Sequence, residues 1–198
     1  CGAKILIALG ILFLLLILVC CGSVFGVKYY ITKSITDDPD KVREITQKIT
    51  EIDVPSPLEA EAALDMRVPF SKKTMIMAAV YSNEGKKNWL ALMCIGNVFD
   101  EPTQAKIRQS LENAMLENRT ATQAERLNKA EESTKEVTIR GEKTVFKITK
   151  GIAPKSQESR IRVEGAFPGE VGSVMLMLDA DAKEMPEEKV DKMLESIH

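Results

Sequence analysis

The chain has 198 residues, 44% hydrophobic and 28% charged, with Lys+Arg 27 against Asp+Glu 29 and one histidine. So even a balance supplies no basic field to hold a polyanion, and nucleic acid is not an expected partner. Setting aside an apolar N-terminus leaves roughly 160 residues, enough for one domain with a real core and too few for two.

From Ile5 to Val27 no charge occurs over about 23 residues, which at 1.5 Å per residue crosses a hydrocarbon layer of roughly 30 Å. One transmembrane helix, within an anchor over 1–30, is therefore expected. A secretory signal peptide is the rival, but its apolar region usually runs only about 7 to 15 residues, and "CGS" lies too far inside this block for a cleavage point. Cys1 is read as a processing boundary. Lys4 against Lys28 and Lys33 decides orientation weakly, and the expected arrangement places the domain outside the cytoplasm, in the periplasm. At the exit of the run, Gly22 and Gly26 fall four apart with Ser23 beside them, a spacing of small residues that lets a second helix approach closely. The alternative is that glycine is simply common in membrane spans.

After a neck over 31–39, Asp38 and Pro39 can start a helix in which Val42, Ile45, Ile49 and Ile52 share one face. Pro55 and Pro57 end it. Three strand-like runs follow, "AALDMRVPF", "TMIMAAVYS" and "WLALMCIGNV", the last two apolar on both alternating faces and so expected at the centre of a sheet. In "DEPTQAKIRQSLENAML", Ile107, Leu111, Ala114 and Met115 predict a second helix, continued by the polar "ENRTATQAERLNKAEES" as a solvated extension or loop. "EVTIRG" and "KTVFKIT" read as a hairpin around Gly141 and Glu142, then "SRIRVEGAF" and "SVMLMLDAD" as two more strands. "MPEEKVDKMLESI" closes the chain as a helix. The expected fold class is α+β: a mainly antiparallel sheet of about seven strands flanked by three helices over 40–198, preceded by one transmembrane helix.

That order, with "AFPGEVGSVMLML" followed by "EEKVDKMLESI", resembles a set of uncharacterised bacterial single-span membrane proteins with a C-terminal α+β domain. In element order it also looks like the PsbP-like extrinsic photosystem subunits and their Ran-binding relatives, in which helices flank an antiparallel sheet. Neither resemblance implies catalytic residues.

No constellation for catalysis stands out. His198 is the last residue, and a zinc site or a nucleophilic pair around it would need a chain end held rigidly. Cys94, the one cysteine outside the anchor, sits among large apolar residues and reads as a buried small hydrophobe, so no disulfide framework is expected. Asp179, Asp181, Glu184, Glu187 and Glu188 lack the glycine of a calcium loop and read as solvated partners of a helix start. "NRT" at Asn118 is a glycosylation acceptor only in a eukaryotic secretory setting. Met75 and Met77 share one face of their strand, as do Met175 and Met177 of theirs. If the strands are neighbours, the four methionines line one patch, as core filling or as a ligand face.

The expected function is non-enzymatic: a membrane-anchored accessory or structural subunit without a cofactor or metal. It docks on a larger assembly, touching the lipid bilayer and integral membrane proteins through the anchor. The alternative is an anchored carrier whose Met-lined face holds a hydrophobic ligand or Cu(I).

Overall fold

The computed structural model describes residues 33–68, 71, 73–85, 87–100, 102–104, 106–107, 110 and 127–198. The expected span Ile5–Val27, with Gly22, Ser23 and Gly26, lies outside them. Among the described residues no helix is long and apolar enough to cross a membrane.

Eight strands form one sheet: β1 (Ile35–Thr36), β2 (Glu59–Arg67), β3 (Thr74–Ser82), β4 (Trp89–Gly96), β5 (Asn128–Ile139), β6 (Glu142–Ile152), β7 (Ser159–Pro168) and β8 (Gly172–Asp181). Their order is β1-β2-β3-β4-β8-β7-β6-β5, and from β2 to β5 every pairing is antiparallel. β8 therefore returns to lie between β4 and β7, and the strands most apolar in sequence, β4 and β8, become neighbours at the centre.

Two helices pack on one face. α1 (Pro39–Ile49) starts where the Asp38 carboxylate accepts from the Asp40 N–H at 3.1 Å and Pro39 supplies a preset φ at the first helical position. It buries Val42, Ile45, Thr46 and Ile49. Thr46 Oγ1 lies 2.7 Å from the Tyr81 hydroxyl, so the polar groups in this layer satisfy each other. α2 (Glu187–Glu195) buries Val190, Met193 and Leu194. Under the helices lies the main core, drawn from alternate positions of the strands: Met77, Ala79 and Tyr81, then Leu90, Leu92 and Cys94, then Val174, Leu176 and Leu178, extending to Val163 and Phe146. The chain end is tied in as well, since His198 N–H donates to the Glu51 carbonyl at 3.1 Å and Thr50 Oγ1 donates to the His198 carbonyl at 3.1 Å.

Close approach explains one glycine. A Cβ on Gly165 of β7 would stand 2.2 Å from Cδ1 of Phe146, whose ring lies over that position and meets the Phe167 ring at 5.9 Å between centroids.

These findings correct the expected fold class of about seven strands flanked by three helices behind a transmembrane helix. The described residues are mostly sheet, with eight strands and short helices, and no membrane-crossing helix occurs among them. The extra strand is β1, inside the expected neck, where two residues are too few to show a period. β5 also begins at Asn128, inside the expected polar extension. Its first seven residues are exposed, as suits an edge strand, and a strand with no buried face leaves no alternation to read.

Candidate functional site

The most elaborate polar arrangement among the described residues sits at the end of the sheet where β3 turns into β4. Asn83 and Asn88 close that turn: Asn83 N–H donates to the Asn88 carbonyl at 3.1 Å, and Asn88 N–H donates to Asn83 Oδ1 at 2.9 Å. Gly85 supplies a φ of +83° between them.

Register brings β8 and β7 to the same place. Trp89 pairs with Asp179, and Asp179 with Arg162. Asp179 is only 1% exposed, and its carboxylate takes two guanidinium groups: Arg160 donates to Oδ1 from Nε at 2.9 Å and from Nη2 at 2.5 Å, and Arg162 Nε donates to Oδ2 at 2.8 Å. Arg160 Nη2 also donates to the Lys87 carbonyl at 2.7 Å, which pins the β3–β4 turn to β7. Asn88, 1% exposed, donates from Nδ2 to Glu184 Oε2 at 2.6 Å and accepts at Oδ1 from the Asp181 N–H at 2.8 Å. A buried carboxylate is tolerated when it is paired and its oxygens are filled, as here. With both oxygens engaged, Asp179 braces structure and is not poised as a base.

Asn83, Gly85 and Glu184 at the rim of this network also line an open groove of about 1040 Å³, together with Ser56, Pro57, Glu59, Ala60, Glu61, Ser82, Glu84, Lys183 and Lys189. Carboxylates outnumber ammonium groups along it. Lys189 Nζ is turned onto two carbonyls, of Ser56 at 3.3 Å and of Glu184 at 3.2 Å. The groove therefore offers an excess of negative charge, with one side, Asn83–Gly85 and Glu184, held by the buried network.

The residues singled out from sequence are placed differently. Met77 pairs with Cys94, and Cys94 with Val174, in the layer beneath the helices. Met75 belongs to that side by alternation and is half-buried. Met175 and Met177 point to the opposite face, where Met175 pairs with Met93 and the neighbours are Ile76, Ala78 and Trp89. The structure does not bring the four methionines together; it gathers Met93, Met175 and Met177. Cys94 is fully buried, and desolvation pushes its thiol up to about 11, so it stays protonated. Among the described residues no group of three or more His, Cys, Asp or Glu side chains is arranged to hold a metal ion.

The acidic stretch near the C-terminus, read from sequence as solvated partners of a helix start, divides: Glu187 and Glu188 do stand exposed in the first turn of α2, but Asp179 and Glu184 are drawn into the network. Asp179 is buried and Glu184 bonds Asn88, while Glu187 meets Lys150 and Glu188 meets Lys192 at the surface. A signal for Asp179 was present. β8 is apolar on both faces, so it is central and covered, and a carboxylate within such a strand requires a cationic partner.

No family model matches the chain, and no curated protein matches it. Among solved structures it is similar to LpqN, described as involved in cell envelope biogenesis of Mycobacterium tuberculosis, at 13% identity. The match covers 75% of this chain and 81% of that one, with a TM-score of 0.33. A likeness of that size carries no argument about fold or activity, and it neither supports nor opposes the resemblance to single-span bacterial proteins and PsbP-like subunits.

Proposed function

We propose that the chain is a non-enzymatic accessory subunit of the cell envelope, held at a membrane by its charge-free run Ile5–Val27 and docking on a larger membrane assembly. In this reading the small residues Gly22, Ser23 and Gly26 meet an integral membrane protein, and the sheet domain lies outside the cytoplasm. The observation that carries the docking role is the groove: an open surface with more carboxylates than ammonium groups, one side of which, the β3–β4 turn and Glu184, is held by the buried Asn88 and Arg160 contacts. A groove with four glutamates against two lysines suits a lysine- or arginine-rich segment of a partner, because complementary charge steers encounter and sets register. The carrier reading gains no observation, since Met75 and Met77 lie on one face of the sheet and Met175 and Met177 on the other.

The test is co-purification from native membranes in mild detergent. Glu59→Lys with Glu84→Lys reverses charge on two walls of the groove without touching the buried network, and loss of the partner bands is expected. Gly22→Leu with Gly26→Leu tests the anchor contact separately. If the charge-reversed chain, at equal abundance, retains the same partners, docking does not use the groove.

A further inference from the structure

Among the carboxylates of the groove, Glu184 is reached by the buried network, and the way it is held limits what can bind it. Asn88 accepts at Oδ1 from the Asp181 N–H at 2.8 Å and from Arg160 Nη1 at 3.4 Å. Both partners are donors, so the amide is fixed with its nitrogen toward Glu184. Asn88 Nδ2 donates to Glu184 Oε2 at 2.6 Å, and Asn83 Nδ2 reaches the same oxygen at 3.4 Å. A carboxylate oxygen has two lone pairs, and on Oε2 each now faces an amide. Oε1 takes no donor among the described residues, and the side chain stands exposed at the groove.

That arrangement separates the two basic side chains. Arginine gains its advantage at a carboxylate by setting two parallel N–H bonds on the two oxygens. Glu184 offers one free oxygen, so the fork loses its second bond. Lysine loses nothing, because its ammonium is a compact point charge whose three donors turn to single acceptors. The groove already holds one ammonium in this manner: Lys189 Nζ donates to the Ser56 and Glu184 carbonyls, single oxygens on two separate segments. Glu59 and Glu84, also exposed in the groove, carry no amide on either oxygen among the described residues and can accept both bonds of an arginine fork.

We infer that Glu184 is a lysine-selecting residue: in a basic segment docked in the groove, the side chain that it meets is lysine and not arginine. The inference rests on the docking reading of the groove and adds to it the residue that sets this choice.

The test is calorimetric binding of hexalysine amide and hexa-arginine amide, at low salt, to the full-length chain in uncharged detergent, unaltered and as Glu184→Gln or Glu59→Gln. Glu184→Gln removes the charge but keeps an oxygen for Asn88 Nδ2, and an unchanged thermal midpoint verifies that the turn survives. It is expected to weaken hexalysine roughly twofold to fivefold, the scale of one exposed ion pair, and hexa-arginine less, so that the preference for lysine falls. Glu59→Gln is expected to weaken hexa-arginine at least as much as hexalysine. If Glu184→Gln weakens hexa-arginine as much as hexalysine or more, or moves the thermal midpoint, the inference is overturned and the groove reading stands. If neither peptide binds the unaltered chain, the groove reading fails and takes the inference with it.

Discussion

β4, at the middle of the sheet, buries seven of its eight residues, whereas β5, at the edge, leaves its first seven exposed. Both are extended and both are hydrogen-bonded along most of their length. The difference lies in what each strand is held against. β4 has β3 and β8 as neighbours and the helices on one face, so its side chains carry transfer energy. β5 is held by β6 and by scattered charge pairs such as Lys135 with Asp191 and Glu195. Secondary structure alone therefore says little about where stability resides. The same substitution should cost much at the centre and little at the edge, and this contrast can be tested in descending order of effect.

The largest effect is expected at Asp179. Asp179→Ala leaves the Arg160 and Arg162 guanidinium groups without their shared carboxylate, Arg160 in a buried setting. Breaking a buried pair on one side costs about 3–5 kcal/mol. Urea unfolding followed by the single tryptophan, Trp89, should show a matching fall in stability. A cost near that of an exposed ion pair would mean that the network adds nothing to the rigidity of the groove, which would also weaken the docking proposal.

Next comes Leu92→Ala, which opens a cavity in the layer under the helices, where Leu92 is fully buried. The expected loss is about 2–5 kcal/mol. Val145→Ala on β6, at a side chain 56% exposed, should stay within about 0.5 kcal/mol. Equal losses at the two sites would show that burial does not decide where stability resides.

Gly165→Ala should cost about 1–3 kcal/mol by overpacking, because its Cβ would meet the Phe146 ring. Phe146→Leu in the same chain should recover part of that loss, giving a coupling in a double-mutant cycle. Additive losses would show that the ring moves freely and that β6 is less firmly seated on β7 than the close approach implies.

The same contrast decides what could be read in advance. "TMIMAAVYS" and "WLALMCIGNV" announce central strands because each is apolar on both alternating faces; the second becomes β4, at the centre and buried on both faces, whereas the first becomes β3 beside it, fully buried only at alternate residues. The start of β5 is hidden because burial on neither face leaves it continuously polar. Register is a second hidden quantity. Alternation indicates that Met75 and Met77 share a face, and likewise Met175 and Met177, but relating the two pairs requires knowing that Ala78, Met93 and Met175 form one cross-strand row. The Arg160 and Asp179 contact depends on the same non-local pairing of β7 with β8. The groove draws its lining from three separated segments, which no local pattern marks.

The smallest stability effect is expected on β5 itself, where a change should instead appear in association. Glu132 meets Lys147 across the hairpin at 2.8 Å, with both side chains about half exposed or more. Exposed pairs of this kind are screened by water and salt and give up side-chain entropy to hold their geometry, so Glu132→Ala should leave the unfolding midpoint unchanged at low and high ionic strength. The charges have another consequence. β5 is the last strand of the sheet, and its outward backbone groups are a template for pairing with a further strand. A run of lysine and glutamate side chains makes such pairing unfavourable, because a second copy would have to desolvate them. Glu131→Val with Glu132→Val should therefore preserve the unfolding midpoint while producing concentration-dependent self-association in sedimentation experiments. If the variant stays monodisperse, edge protection comes from elsewhere. If its midpoint falls sharply, the charges help hold the hairpin, and edge and centre are less different than their burial suggests.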